Sequence, residues 1–358
     1  MVFQSLADAR DYVLSNDEDY FITDEIIRGV SFKVFKNGPK LIPDILNLCL
    51  NHKEKDFLVF DKERYSFGEF HQLTCQIAHL LMDEYSIRPG DRVAILMKNS
   101  PEFPLIFMAL SSIGAVAVCL NSWWTSDELK YGFMDSKVKL VFTDEQRLAK
   151  IKGFVSEMGV QTVLCRHQNS DKSDEFWNSL LTSKNNELPR TTIDQDSDFA
   201  VMYTSGSTGH PKGVVMTHRG AISTLMSWHF GLRVLDVMGL GPVPYVDKNN
   251  QPYQPCQLVS VPFFHVSGTH GGLLLALWSG TKLVIMKKWD PPEAVRLIEL
   301  EKVSRFGGVP TMAAEILGEA KKVGAKLESI RLIDTGGAAR PADQAREMAE
   351  SIPNVLTG

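Results

Sequence analysis

Cysteine is scarce in this 358-residue chain, and no pair of cysteines has Cys-x-x-Cys spacing. The five cysteines are Cys49, Cys75, Cys119, Cys165 and Cys256. This scatter argues against a disulfide framework or a cysteine zinc site and predicts reduced thiols in a cytoplasmic protein. Cys256 sits in a proline-rich loop, and we expect it to be the exposed one.

Positive charge is not in excess either: 38 Lys and Arg face 43 Asp and Glu, for a net charge of −5. A chain with both signs interspersed has no basic footprint for nucleic acid. Hydrophobic residues make up 44% and charged residues 23%, the composition of an ordinary globular protein. The acidic N-terminus lacks the apolar core of a signal peptide.

Long apolar runs are missing as well. The nearest imitation of a membrane span is the uncharged stretch Phe103 to Leu120, 18 residues long. Pro104 and Gly114 interrupt it, and the residues after Gly114 have the β-branched character of a buried strand. We therefore predict a helix, a glycine turn and a strand, with no integral membrane span.

Glycine and hydroxyl side chains are instead concentrated in one segment, residues 203–213, which reads Tyr-Thr-Ser-Gly-Ser-Thr-Gly-His-Pro-Lys-Gly. It lies between two strand-like runs, Phe199–Met202 and Val214–Met216. Glycines allow backbone N–H groups to form a concave nest of donors, while hydroxyls and a lysine add further phosphate contacts. The predicted nucleotide-phosphate contacts are Thr204, Ser205, Gly206, Ser207, Thr208, Gly209 and Lys212.

The segment fails the test for a Walker A loop. Lys212 follows a proline rather than a glycine, and Gly213 occupies the place of the metal-binding hydroxyl. A second strand follows, and a helix begins only after Thr217, a plausible N-cap. From the residues alone, a ligand-free Gly/Ser hairpin turn remains the alternative.

Apolar β-rich runs alternate with helix-period segments from Phe57 onward, which predicts parallel strands with helices on both faces. The fold class is therefore α/β, with two layered α/β subdomains. We divide the chain into a helical lead-in (1–40), a first subdomain (41–190) and a second subdomain with the phosphate loop (191–358). Leu240 to Pro255, which carries four prolines, is predicted to be an exposed excursion.

From about Leu41 to the last residue, and most specifically in the phosphate loop, the chain resembles the adenylate-forming (AMP-binding) superfamily, in its acyl-CoA synthetase branch. The resemblance implies the N-terminal domain of such an enzyme and the use of ATP, Mg²⁺ and CoA. It also implies that a carboxylic acid is activated as an acyl-adenylate and transferred to a thiol. No oligomeric state follows from it.

Two further segments gain meaning from this resemblance. In Pro262–Gly268, it makes His265 the catalytic candidate that holds the acid's carboxylate and Phe264 a wall of the acid pocket. On its own, a histidine beside aromatics is more often a core residue, and no third metal ligand stands near His265 and His270. The resemblance also implies that Gly336, Gly337 and Ala338 contact adenine and that Gly308 and Val309 line the acid pocket.

The resemblance also bears on the charge of the substrate: a peptide-synthetase adenylation domain would hold the substrate ammonium with a carboxylate just after the aromatic of this motif. Here His265 occupies that place, and no acidic residue occurs in the next ten positions. An uncharged fatty or aryl acid fits better than an amino acid. The family's Tyr-Gly-x-Thr-Glu motif and catalytic lysine do not occur within the 358 residues, so we expect this chain alone to be inactive or very slow. The alternatives are a non-catalytic nucleotide- or acyl-binding fragment and a ligase that delivers the acyl group to a carrier protein.

Overall fold

The computed structural model describes residues 3–167, 172–181, 185–204, 209–336, 342–352 and 355–357. The strands are β1 (Ile22–Ile27), β2 (Val30–Phe35), β3 (Asp56–Phe60), β4 (Glu63–Ser66), β5 (Arg92–Leu96), β6 (Val116–Cys119), β7 (Leu140–Asp144), β8 (Gln161–Arg166), β9 (Asp198–Thr204), β10 (Lys212–Thr217), β11 (Cys256–Val259), β12 (Lys282–Ile285), β13 (Arg305–Gly308), β14 (Leu332–Thr335) and β15 (Leu356–Thr357).

The α-helices are α1 (Leu6–Asn16), α2 (Ile42–Leu48), α3 (Phe67–Asp83), α4 (Glu102–Ser112), α5 (Ser126–Ser136), α6 (Glu145–Ile151), α7 (Asp174–Leu181), α8 (His218–Val237), α9 (Val266–Gly268), α10 (Leu275–Ser279), α11 (Pro291–Glu301), α12 (Pro310–Val323) and α13 (Ala342–Ser351). Two 3₁₀ turns, Glu18–Tyr20 and Cys49–His52, and one π-helical turn, Thr269–Leu274, complete the regular structure of the described residues.

Two large sheets organise the fold. The six-stranded sheet has the order β10-β9-β6-β5-β7-β8, and the seven-stranded sheet has the order β15-β14-β13-β11-β12-β3-β4. All neighbours within them are parallel except the hairpins β9–β10 and β3–β4. This arrangement confirms the predicted α/β class with mostly parallel sheets flanked by helices.

Alternation of side chains along the strands shows how the layers stack. In β5, Val93 and Ile95 belong to the largest hydrophobic cluster, whereas Ala94 and Leu96 belong to a second cluster on the other face. In β12, Leu283 shares the largest cluster, and Val284 points to a third. Since successive residues of a strand face opposite sides, the largest cluster lies between the two sheets. Helices α2, α3, α4 and α10 supply its middle layer.

Each of the two large sheets contains strands from both the early and the late part of the sequence. β3 and β4 come early in the chain but pair into the seven-stranded sheet beside β12, and β9 and β10 join the six-stranded sheet. The division between the sheets therefore does not coincide with a single cut at residue 190. The first 40 residues hold α1 and the two-stranded sheet of β1 and β2, so this lead-in is only partly helical.

Local predictions between 101 and 120 are confirmed: α4 is followed by a turn at Gly114, where φ is +73°, and then by β6. None of the helices in the described part of the chain is long and apolar enough to cross a bilayer. Residues 240–255 are mostly exposed, as predicted.

The expected exposure of Cys256 is wrong. Its side chain is fully buried at the start of β11, where its backbone N–H bonds to the Ser304 hydroxyl at 3.0 Å. The proline-rich loop ends one residue earlier, so Cys256 packs as a strand residue and not as a loop residue.

Candidate active site at the carboxyl edges of the two sheets

The predicted site residues in the described parts of the chain all follow, or stand at, the carboxyl ends of parallel strands. Thr204 ends β9 in the six-stranded sheet, and the segment with His265 follows β11 in the seven-stranded sheet. The two edges meet, because the hydroxyl of Thr269 lies 4.0 Å from the sulfur of Met202. Ligands of α/β proteins bind preferentially at such edges.

The phosphate loop stands at the tip of the β9–β10 hairpin. Thr204 pairs with Lys212 in the antiparallel register, and the Thr204 hydroxyl donates to the Lys212 carbonyl at 3.4 Å. Both residues are exposed, and the Lys212 ammonium forms no ion pair within the described residues. Gly209 has a φ of +109°, a conformation that favours glycine. Ser205, Gly206, Ser207 and Thr208 lie outside the described residues.

Aromatic contacts anchor this hairpin on α5. The buried Tyr203 hydroxyl donates to Asp135 Oδ2 at 2.6 Å, and burial raises the pKa of Tyr203, as does this hydrogen bond. Gly213 lies opposite, where a Cβ would stand 3.3 Å from the Tyr203 ring. Near the loop tip, His210 stacks on Tyr131 with ring centroids 4.6 Å apart. Contacts with α5 therefore hold the residues on both sides of the phosphate loop.

His265 begins a tight turn after β11. Its N–H donates to the Pro262 carbonyl at 3.2 Å, and its own carbonyl accepts the N–H groups of Gly268 at 3.0 Å and Thr269 at 3.1 Å. The turn requires glycine, since a Cβ at position 268 would lie 2.3 Å from the Pro262 oxygen. Hydrogen bonds within the backbone of Pro262–Gly268 thus fix the position of His265, which caps the short helix α9.

The imidazole of His265 is half-buried beside the buried Phe264 ring, with centroids 4.7 Å apart. Burial lowers the pKa of His265, so the ring is neutral at pH 7 and carries one N–H donor. Neither ring nitrogen bonds to another residue in the described parts of the chain. A neutral donor beside an aromatic wall suits one oxygen of a carboxylate on an otherwise apolar acid.

His270 has a different environment. It is buried, its Nδ1 lies 3.1 Å from the Thr269 hydroxyl, and burial lowers its pKa to about 4. Its ring packs against Phe199 in the central cluster, with centroids 6.0 Å apart. It therefore acts as a core residue of the π-helical turn.

The glycine segments flank the same edge. Gly308 pairs with Thr335 between β13 and β14, and the Gly336 N–H donates to the Gly308 carbonyl at 3.0 Å. A Cβ on Gly308 would lie 2.8 Å from the Phe306 ring. Val309 is the N-terminal cap of α12. These residues are brought to the edge that carries His265, while Gly337 and Ala338 lie outside the described residues.

Three residues that the sequence analysis did not single out also lie at this edge. Trp123 is 65% exposed and meets the Phe264 ring edge-on at 5.3 Å, and its neighbour Trp124 meets Tyr203 in the same way at 5.3 Å. Asn99 bonds to the segment that precedes Phe264. The sequence could have indicated these three residues as site candidates, because each follows the carboxyl end of a buried strand.

The hairpin with Lys212 and the loop with His265 thus extend from the carboxyl edges of two mostly parallel sheets that contact each other. The chain belongs to the family of AMP-binding enzymes, whose sequence model matches residues 48–358.

Its relatives include a 4-coumarate–CoA ligase from Humulus lupulus, which is 31% identical over 279 residues, covering 77% of this chain and 48% of that protein. A 4-coumarate–CoA ligase from Petroselinum crispum is 26% identical over 296 residues, covering 83% and 52%. The inhibitor-bound N-terminal domain of FACL13 from Mycobacterium tuberculosis matches with a TM-score of 0.75 and 25% identity, covering 89% of this chain and 75% of that chain. The chain spans about half the length of the curated relatives it matches.

Proposed function

We propose that the whole protein joins a carboxylic acid to the thiol of CoA at the expense of ATP. A carboxylate oxygen attacks the α-phosphorus of ATP and pyrophosphate leaves; the thiol sulfur then attacks the acyl carbon, releasing AMP and a proton. The observation that carries the proposal is the contact between the two carboxyl edges at Thr269 and Met202, since the Lys212 hairpin extends from one edge and the His265 loop from the other. The family and the names of the relatives support it.

Each predicted residue that the structure describes has a task that its environment permits. The exposed Lys212 ammonium and Thr204 hydroxyl, with the positive-φ turn at Gly209, suit the charge and lone pairs of a polyphosphate. The neutral His265 donates to the acid's carboxylate. Phe264 borders the acid. Bound Mg²⁺ would neutralise charge on the phosphates.

Adenine and the acid chain have separate walls in this proposal. Gly336 directly follows the carboxyl end of β14. Because glycine has no side chain, the flat adenine ring can approach the backbone there. Gly308 and Val309 border the acid at the next strand. Because no acidic residue occurs in the ten positions after His265, we assign an uncharged fatty or aryl acid as the substrate class.

The test is carboxylate-dependent ATP–pyrophosphate exchange by the full-length protein with a panel of fatty and aryl acids. The expected nucleotide products are AMP and pyrophosphate; ADP and phosphate would instead indicate a kinase-type hydrolysis. The acceptor is tested by offering CoA and a pantetheinylated carrier protein in parallel. Transfer only to the carrier would overturn CoA as the acceptor but keep adenylation.

Lys212→Ala provides the residue-level test. Loss of one charge-assisted contact to the phosphates should weaken ATP binding by roughly ten- to a hundredfold. Lys248→Ala, in the exposed excursion away from both edges, is the matched control and should bind ATP as the unsubstituted protein does. Equal ATP affinity and equal exchange in the two variants would contradict the role of Lys212.

A further inference from the structure

The loop that carries His265 is held from the opposite sheet by one carboxamide. Asn99 lies in the turn after β5, and its Nδ2 donates to the Val261 carbonyl at 2.9 Å. Its Oδ1 accepts the N–H of Phe263, also at 2.9 Å. The two bonds grip the backbone on both sides of Pro262, immediately before Phe264 and His265.

The turn that carries Asn99 is itself anchored in the six-stranded sheet. The N–H of Lys98 donates to Asp144 Oδ2 at 3.0 Å, and the other oxygen of Asp144 accepts the N–H of Arg147 at 2.9 Å as the N-cap of α6. Asp144 ends β7, the neighbour of β5. The carboxamide therefore extends from a braced turn and not from a free loop.

Packing supports the same connection. The Phe263 ring is fully buried and stacks on Phe103 of α4, with centroids 5.6 Å apart. On the site side, the next ring, Phe264, meets Trp123 of the six-stranded sheet's edge. Hydrogen bonds and ring contacts thus connect the same short segment to the opposite sheet, and Asn99 supplies the directional part of that connection.

We infer that Asn99 is a positioning residue: it sets the place of His265 and Phe264 relative to the Lys212 hairpin, and thereby the alignment of the acid's carboxylate with the α-phosphate. The inference rests on the proposed function. Because His265 follows β11 and Lys212 begins β10 in the other sheet, their separation depends on contacts between sheets. A shift of about 1 Å between reacting groups is enough to slow an enzyme roughly a hundredfold.

The chemistry of the contact explains why an amide stands there. One partner is an acceptor and the other a donor, so the side chain must offer both functions at once. Aspartate has the same shape but accepts only, which would set a charged oxygen against the Val261 carbonyl. Asn99→Asp is therefore a nearly isosteric probe, and Asn99→Ser is an uncharged second probe that keeps at most one of the two bonds.

The first measurement follows Trp123, whose contact with Phe264 reports the place of the loop. Near-ultraviolet circular dichroism and tryptophan fluorescence are compared for the 358-residue chain and for the chain with Asn99→Asp or Asn99→Ser. Each is repeated in a Trp123→Phe background. We expect both Asn99 variants to change the spectra and the change to vanish in that background. The control is Asn249→Asp in the exposed excursion, which makes the same charge change and should leave the spectra unaltered.

The second measurement is kinetic and uses the full-length protein. In Asn99→Asp and Asn99→Ser, we expect the KM for the acid to rise about tenfold or more and kcat for exchange to fall. The KM for ATP should change less than about twofold. General loosening of the fold would raise both KM values together. Asn249→Asp should match the unsubstituted protein in all three constants.

The outcomes separate the two proposals. Absence of exchange in the unsubstituted protein would overturn the proposed function, and the positioning role with it. Exchange in the unsubstituted protein, with equal acid KM or equal Trp123 spectra in the Asn99 variants, would overturn the positioning role alone. A parallel rise in the KM values for acid and ATP would also contradict it.

Discussion

Gly268→Ala is a sharp test of the geometry around His265. Gly268 has φ −76° and ψ −43°, ordinary helical values, so an alanine there would have no backbone strain of its own. The obstacle is space. The new Cβ would stand 2.3 Å from the Pro262 oxygen, 2.7 Å from the Pro262 carbonyl carbon and 2.9 Å from the Phe263 Cα. All three are backbone atoms and cannot rotate away.

Two opposing effects set the magnitude. Alanine is favoured over glycine in a helix by about 1 kcal/mol. Overpacking against fixed atoms costs typically about 1–3 kcal/mol, and contacts this short belong at the upper end. We therefore expect the free energy of unfolding to fall by about 1–2 kcal/mol. Since relief of the overlap must move the Pro262–Gly268 turn, the KM for the acid should rise about tenfold.

Urea unfolding of the chain measures the first effect, and exchange kinetics of the full-length protein measure the second. Gly318→Ala is the matched control, because Gly318 is an exposed helical residue of α12 whose Cβ would meet nothing within 4 Å. It should raise the free energy of unfolding by about 0.5–1 kcal/mol. If Gly268→Ala were as stable as Gly318→Ala and left the acid KM unchanged, the close approach at position 268 would be refuted.

Three further predictions concern the core. Glu102 is fully buried and accepts Arg166 Nη2 at 2.7 Å, so Glu102→Ala should lower the free energy of unfolding in urea by about 3 kcal/mol; a loss below about 1 kcal/mol would contradict this. Burial lowers the pKa of His218 and His270 to about 4, below the unfolded value near 6.5. Stability should therefore be fully present above about pH 6.5 and fall towards pH 4 by about 1.4 kcal/mol per unit for each histidine, and flat urea midpoints would be inconsistent with two neutral buried rings. All five thiols, including Cys256, are buried, so a thiol reagent should label almost none in the folded chain and five in urea; rapid labelling of Cys256 would contradict its burial.

Local features were the most predictable from sequence. The hairpin around the phosphate loop was predicted by two β-rich runs flanking a glycine-rich turn, and β9 and β10 pair as expected. The helix, turn and strand between Phe103 and Leu120 were predicted because Gly114 interrupts an apolar run that no charge divides. In both cases the signal lies within about twenty neighbouring residues, where turn chemistry and hydrophobic period act directly.

Other features needed the three-dimensional structure. Cys256 was misplaced because a loop composition was extended one residue into a strand. Asn99 lies in an ordinary Lys-Asn-Ser-Pro turn, and nothing in those letters indicates that its partners are Val261 and Phe263, more than 160 positions away. Trp123 was not recognised as a neighbour of Phe264 for the same reason.

The sequence by itself determined the parallel α/β elements, the hairpin and the glycine turns, because each depends on the conformational preferences of consecutive residues. Only the tertiary structure decided which strands share a sheet, as when β3 pairs with β12 across more than 200 residues. It also decided that the edge with the Lys212 hairpin and the edge with the His265 loop are in contact. Contacts between sheets depend on burial of the common core and on single polar contacts such as those of Asn99. Neither produces a periodic pattern in the sequence from which the partner residues could be predicted.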